Sequence, residues 1–162
     1  MTNKEIAKKF SLLSKIMELH DENPFKVRSY ASAYINIRKL PEPLCDMTPE
    51  ESSQLSGIGK AISEKIYELV TTGEMKTLNH YLELTPPGIV EMLNIKGFGP
   101  KKIKTIWKDL GIETVGELIY AVNENRLIEL KGFGQKTQDS LKVQLEYYLN
   151  SVGKWHYAVV ED

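Results

Sequence analysis

Three copies of one short pattern constrain the fold of this chain more than any other feature. Residues 55–66 read Leu-Ser-Gly-Ile-Gly-Lys-Ala-Ile-Ser-Glu-Lys-Ile, residues 95–103 Ile-Lys-Gly-Phe-Gly-Pro-Lys-Lys-Ile, and residues 130–137 Leu-Lys-Gly-Phe-Gly-Gln-Lys-Thr. Each copy has two glycines flanking one apolar residue, with an apolar residue before the pair and a lysine after it. Glycine tolerates positive φ, so such a pair can turn the backbone sharply and expose successive amides at the start of the next helix. Those amides suit an anion such as phosphate. A tight helix connection would need the glycines but not a lysine after every copy. Because the turn needs a helix on either side, the chain is expected to be all-α.

At 162 residues and 41% hydrophobic content, the chain can form one or two small domains with real cores. Cys45 is the single cysteine, and neither a signal segment nor an apolar run long enough to span a bilayer occurs, so a cytoplasmic protein is expected. The net charge of −1 argues against indiscriminate attraction to polyanions, so any such contact must be local. Lys96, Lys101, Lys102, Lys104 and Lys108 lie in residues 96–108, which contain no acid, whereas acids gather in 41–51 and 113–129.

In chain order, Ile6, Phe10, Leu13 and Met17 mark an amphipathic helix over residues 3–20. Asn23 and Pro24 then cap and start a second helix, reaching about residue 40. Along it Val27, Ala31, Tyr34 and Ile35 are expected to face inward, with Lys26, Arg28 and Tyr30 turned toward the first glycine turn. Thr48, Pro49 and two acids start a short helix, and residues 60–72 form another with Ile62, Ile66 and Leu69 buried. A domain junction is placed within residues 73–87. Beyond it, helices over 89–94, 100–110, 115–123 and 136–151 surround the second and third turns, the last presenting Leu141, Leu145 and Tyr148 on one face. The third copy lacks the aliphatic residue held by Ile62 and Ile103, with Gln138 or Thr137 there depending on register. Residues 153–160, rich in aromatic and β-branched types, read as a strand. The expected organisation is therefore two small helical subdomains, 1–74 and 75–153, and a short extended C-terminal tail at 154–162 that either folds back or, as favoured, begins a further domain.

The three turns resemble the helix-hairpin-helix motif of DNA repair proteins and polymerases, in which hairpin amides grip a phosphate without reading bases. The order of Asn-Pro-Phe-Lys-Val-Arg-Ser-Tyr-Ala at 23–31, the first hairpin, Thr72-Gly73 and the second hairpin resembles the N-terminal region of bacterial and archaeal family X DNA polymerases, related to DNA polymerase beta. The resemblance runs from about residue 4 to residue 145. It implies a first domain that binds the 5′-phosphate side of a DNA gap and a DNA-binding fingers subdomain, acting as a monomer on gapped or nicked DNA in base excision repair. The tail would be the first strand of the polymerase palm, which carries the Mg2+-binding aspartates.

Carried over residue by residue, the resemblance assigns DNA and phosphate contacts to Lys26, Gly57, Gly59, Lys60, Gly97, Gly99, Lys101, Lys102, Lys104, Gly132, Gly134 and Lys136. It also implies K+ or Na+ at the backbone carbonyls of Leu55, Ile58, Leu93, Ile95 and Phe98, with no other cofactor in this chain. Lys65 matches a lysine that forms a Schiff base with an abasic sugar, beside a tyrosine matched by Tyr30. A second phosphate-holding lysine is replaced by Ala61, which turns the reading toward binding, with weak deoxyribose-phosphate lyase activity. The isolated histidines His20, His80 and His156 do not suggest metal ligands. The rival reading is a stand-alone helix-hairpin-helix module for DNA or protein contact, and the basic run at 96–108 argues against protein contact alone.

Overall fold

The computed structural model describes the backbone of residues 1–161 apart from Lys96 and Lys131, and side chains as far as residue 151 apart from those two. Among the described residues there are helices and turns and no strand. The order is α1 (Asn3–Leu19), α2 (Pro24–Lys39), α3 (Pro49–Ser53), α4 (Lys60–Thr72), α5 (Lys76–Glu83), α6 (Pro87–Leu93), α7 (Pro100–Leu110), α8 (Val115–Asn123) and α9 (Gln135–Glu161). Short 3-10 turns lie at Leu44–Asp46 and Leu127–Glu129. Local chemistry fixes the starts. Thr2 with Glu5 and Thr48 with Glu51 form reciprocal capping boxes on α1 and α3, and the Asn23 Oδ1 accepts from the Phe25 amide at 2.9 Å to open α2.

The chain divides into two compact units, Met1–Thr85 and Pro86–Asp162. In the first, Ile6, Phe10, Leu13, Ile16 and Met17 of α1 are buried, and α1 packs on α2 and α5. The inward stripe of α2 differs from the sequence expectation: Ala33 and Ile37 are fully buried, whereas Ile35 is 44% exposed. Tyr30, Ala33 and Ile37 follow a 3.6-residue period, and Tyr30 stacks on Phe10 with ring centroids 6.1 Å apart. The division falls inside the junction expected at residues 73–87, but at its far end. α5, assigned to the second subdomain by the 75–153 expectation, belongs to the first unit because buried Met75 and Leu78 carry it onto the core beside α1. The seam falls at Thr85, which is buried; its hydroxyl donates to the Tyr81 carbonyl at 2.7 Å and lies 2.8 Å from His20 Nε2.

The second unit buries Ile89, Met92, Ile103, Ile106, Leu118, Leu127, Leu141 and Leu145. α6 lies so close to the segment before α8 that a β-carbon on Gly88 would come within 2.0 Å of the Glu113 carbonyl oxygen. The extended tail expected at 154–162 is not observed: α9 continues as helix to Glu161. No proline interrupts it, Gly153 costs a helix interior only about 1 kcal/mol, and among the described residues there is no strand with which this segment could pair.

Tyr148 of α9 donates to Glu91 Oε1 of α6 at 2.5 Å, and burial followed by this bond pushes its phenol up to about 12. Because the folded state holds the proton more tightly than the unfolded chain, the contribution is complete below pH 10 and fades as pH rises toward 12. Urea unfolding should therefore lose stability across that window in the native chain. Tyr148→Phe should remove that part of the loss, and an identical pH profile in the variant would refute the role of this bond.

Candidate functional site

The three glycine turns share one backbone arrangement. In each, the amide between the glycines donates back to the apolar residue that precedes them: Ile58 to Leu55 at 3.1 Å, Phe98 to Ile95 at 3.2 Å, and Phe133 to Leu130 at 3.1 Å. The first glycine of each pair has positive φ, +81°, +92° and +85° for Gly57, Gly97 and Gly132. The central side chains Ile58, Phe98 and Phe133 are buried, while all six glycines are exposed. Each turn is thus pinned from beneath, with its backbone presented outward.

Each following helix then opens on the second glycine, whose carbonyl accepts the first intrahelical bond from Ser63, Ile103 or Gln138 at 2.9, 3.1 and 3.0 Å. This equivalence settles the register: Gln138, not Thr137, occupies the place of Ile103, and in the first copy that place is held by Ser63 rather than Ile62. Gln138 is buried and donates its Nε2 to Asn125 Oδ1 at 2.8 Å, which accommodates a polar residue where the second hairpin has an aliphatic one.

Beside the first hairpin, α2 and the start of α4 enclose a cleft of about 700 Å³. Lys26, Tyr30, Gly57, Gly59 and Lys60 line it, so the structure brings together five of the sequence-assigned residues. Lys26 and Lys60 are exposed, whereas Tyr30 is half-buried. Lys65 stands one turn further along α4, half-buried, outside the lining, with Nζ 5.9 Å from the centroid of the Tyr30 ring. That distance is at the outer limit of a cation–π contact, and Tyr30 is the residue shared between Lys65 and the cleft lining. Ala61 lines the cleft with its small side chain.

Sequence reasoning missed the rest of this wall. Besides Arg28, which was expected to face this turn, Phe25, Ser29, Ser32 and Asn36 line the cleft, and the spacing of these four by three and four residues places them along one face of α2. Phe25 is 74% exposed despite being aromatic, with the Arg28 guanidinium 5.4 Å from its ring centroid. The missed signal was a mostly polar stripe flanking the Ala33 and Ile37 face.

In the second unit, Lys101 and Lys102 are exposed in the first turn of α7. Lys104 is half-exposed, and Lys108 covers the Trp107 ring with Nζ 3.9 Å from its centroid. Trp107 Nε1 donates to Glu113 at 3.1 Å. Lys136 is exposed after the third hairpin, and Lys96 lies outside the described residues. No group of three or more His, Cys, Asp or Glu side chains that could hold a metal ion occurs among the described residues. No described helix is long and apolar enough to cross a membrane.

Repeated, outward-facing glycine turns on buried central residues define a tandem helix-hairpin-helix protein. Comparison agrees: residues 1–75 match a helix-hairpin-helix domain family, and residues 89–146 match a SAM-like helix-hairpin-helix tandem. The chain is 31% identical over 141 residues to the DNA polymerase/3′-5′ exonuclease PolX of Bacillus subtilis (strain 168), which covers 87% of this chain and 24% of that protein. It is 23% identical over 117 residues to DNA polymerase lambda of Rattus norvegicus, covering 72% of this chain and 19% of the relative. The chain is therefore a tandem helix-hairpin-helix protein similar to the N-terminal region of PolX-like family X DNA polymerases. It spans about a quarter of PolX and less of the lambda polymerase.

Proposed function

We infer that this chain binds gapped or nicked DNA through the phosphate backbone, with little sequence preference, as the N-terminal part of a polymerase that fills gaps during repair. The observation that carries this reading is the threefold recurrence of one hairpin with its amides outward and a lysine beside it. Amides and lysines contact phosphates and so fix position on a duplex without reading bases. In this reading the first-unit cleft receives the 5′-phosphate between Lys26, Lys60 and the amides around Gly57 and Gly59. The hairpins at Gly97 and Gly132, with Lys101, Lys102, Lys104 and Lys136, track the flanking backbone. In the same reading a K+ or Na+ ion in the first hairpin would be held by the carbonyls of Leu55 and Ile58, and a separate one in the second by those of Leu93, Ile95 and Phe98; Leu55 and Ile95 each accept one turn amide and keep a second lone pair for it.

The test is a titration of the purified chain with a duplex bearing a phosphorylated one-nucleotide gap, and with the same duplex intact, over a range of salt. The gapped duplex should bind more tightly, and log affinity should fall linearly with log salt as counterions are released. Equal binding of both duplexes, or affinity indifferent to salt, would refute the proposal.

The approach of Lys65 to Tyr30 favours an accompanying lyase step. An unprotonated Lys65 amine would add to the C1′ aldehyde of a 5′-incised abasic sugar and lose water to give an imine. Removal of a C2′ proton would then expel the phosphate at C3′, leaving a 5′-phosphorylated strand, and water would release the lysine. Holding the phosphate in the adjacent cleft supplies the proximity. Borohydride should trap the imine as a covalent adduct in the native chain, and Lys65→Ala should abolish trapping while leaving gap binding within about threefold. Undiminished trapping in the variant would assign the chemistry to another amine.

A further inference from the structure

We propose that Asn36, resting on the reading of the cleft just given, is a hydrogen-bond donor to the phosphate held at the first hairpin, and thereby helps the chain distinguish a 5′-phosphorylated end from a 5′-hydroxyl one. Asn36 lies about three turns along α2 from Phe25, on the cleft wall. Its carboxamide packs directly on the hairpin: a β-carbon on Gly57 would come within 2.0 Å of Asn36 Nδ2 and 2.7 Å of its Cγ. The φ of +81° at Gly57 calls for glycine, and a β-carbon there would in addition push the Asn36 carboxamide off the turn. This places a side-chain NH2 against the same turn whose amides face outward.

A carboxamide offers two donors and an acceptor, and a half-buried one loses solvation unless a partner takes them up. Among the described residues no group hydrogen-bonds the Asn36 side chain, and its polar atoms remain open to solvent and so to a ligand. A phosphate oxygen at the hairpin would supply the missing acceptor, and a neutral donor can add to an anion site already served by Lys26 and Lys60 without further charge. The other hairpins lack this feature. Gly97 is covered by the methylene of Gln144, with Cγ 3.1 Å from the ideal β-carbon position, and nothing lies within 4 Å of that position at Gly132. Among the described residues the first hairpin has a side-chain amide nitrogen as the nearest atom over its glycine and the other two do not, and it is the hairpin beside the cleft.

The experiment measures the affinity of the full chain for one-nucleotide-gap duplexes with a 5′-phosphate or a 5′-hydroxyl, for the native protein, Asn36→Asp, Asn36→Leu and Lys60→Ala. The carboxylate of Asn36→Asp keeps the shape while replacing the donor by a like charge, and should weaken binding of the phosphorylated end about tenfold with the hydroxyl end nearly unchanged. Asn36→Leu, which lacks the donor without adding charge, should lose a smaller part of the same discrimination. If both variants match the native discrimination while Lys60→Ala reduces it, the proposal for Asn36 fails and the cleft reading stands. If both weaken the two substrates equally and lower the melting temperature, Asn36 only packs. A native chain indifferent to the 5′-phosphate would overturn the cleft reading itself.

Discussion

Reversing two adjacent charges, Lys101→Glu with Lys102→Glu, is expected to weaken binding of duplex DNA about a hundredfold near physiological salt, on any sequence tried. Both side chains are exposed at the start of α7, immediately after the second hairpin, and neither supports the core, which is carried there by Ile103 and Ile106. Their loss should therefore leave thermal stability almost unchanged. Lysines that each neutralise one phosphate displace about 0.9 counterion apiece, so the slope of log affinity against log salt should become shallower by about two. The same substitutions tested on duplexes of unrelated sequence should give the same factor, because contacts to phosphates carry no base information. A loss confined to one sequence, or an unchanged salt slope, would show that these lysines do not face the backbone.

Phe98→Ala should have the largest effect on stability. Phe98 is 3% exposed and forms the floor of the second hairpin, between the two glycines whose conformation it anchors. Removing a buried phenyl group costs about 3–5 kcal/mol, a large part of the roughly 5–10 kcal/mol that holds a unit of this size together. Both tryptophans, Trp107 and Trp155, belong to residues 86–162, so their fluorescence during urea unfolding reports on this unit. The midpoint should fall steeply in Phe98→Ala and only slightly in Phe98→Ile, since the first hairpin uses Ile58 in the same place. Equal midpoints for the native and alanine proteins would mean that the turn stands without its floor.

The hairpins and helix starts were legible in the sequence because they depend on residues close together along the chain. Thr2 with Glu5, Thr48 with Glu51 and the glycine pairs act through one turn of backbone, so spacing alone fixes them. Features set by distant partners were less accessible. α5 follows a glycine that ends α4, which suggests a new domain, yet Met75 and Leu78 join it to a helix some sixty residues earlier. The helical course of α9 past Gly153 competes with a local composition that favours strand, and composition cannot state whether a neighbouring strand exists. Gln138 could not be placed by pattern because the buried place it fills is made polar by Asn125, thirteen residues away. Asn36 read as an unremarkable helix residue, since only the folded chain brings it onto Gly57.

The pinning of each turn by a buried central residue also bears on movement. A loop held rigidly from below need not be ordered when it meets its ligand, so each contact can form and break quickly. Backbone amides and lysines meet every phosphate along a duplex on equal terms, and the energy changes little as one phosphate is exchanged for the next. Such a level profile would let the bound molecule drift along intact DNA until a strand end offers the cleft beside the first hairpin something it can hold.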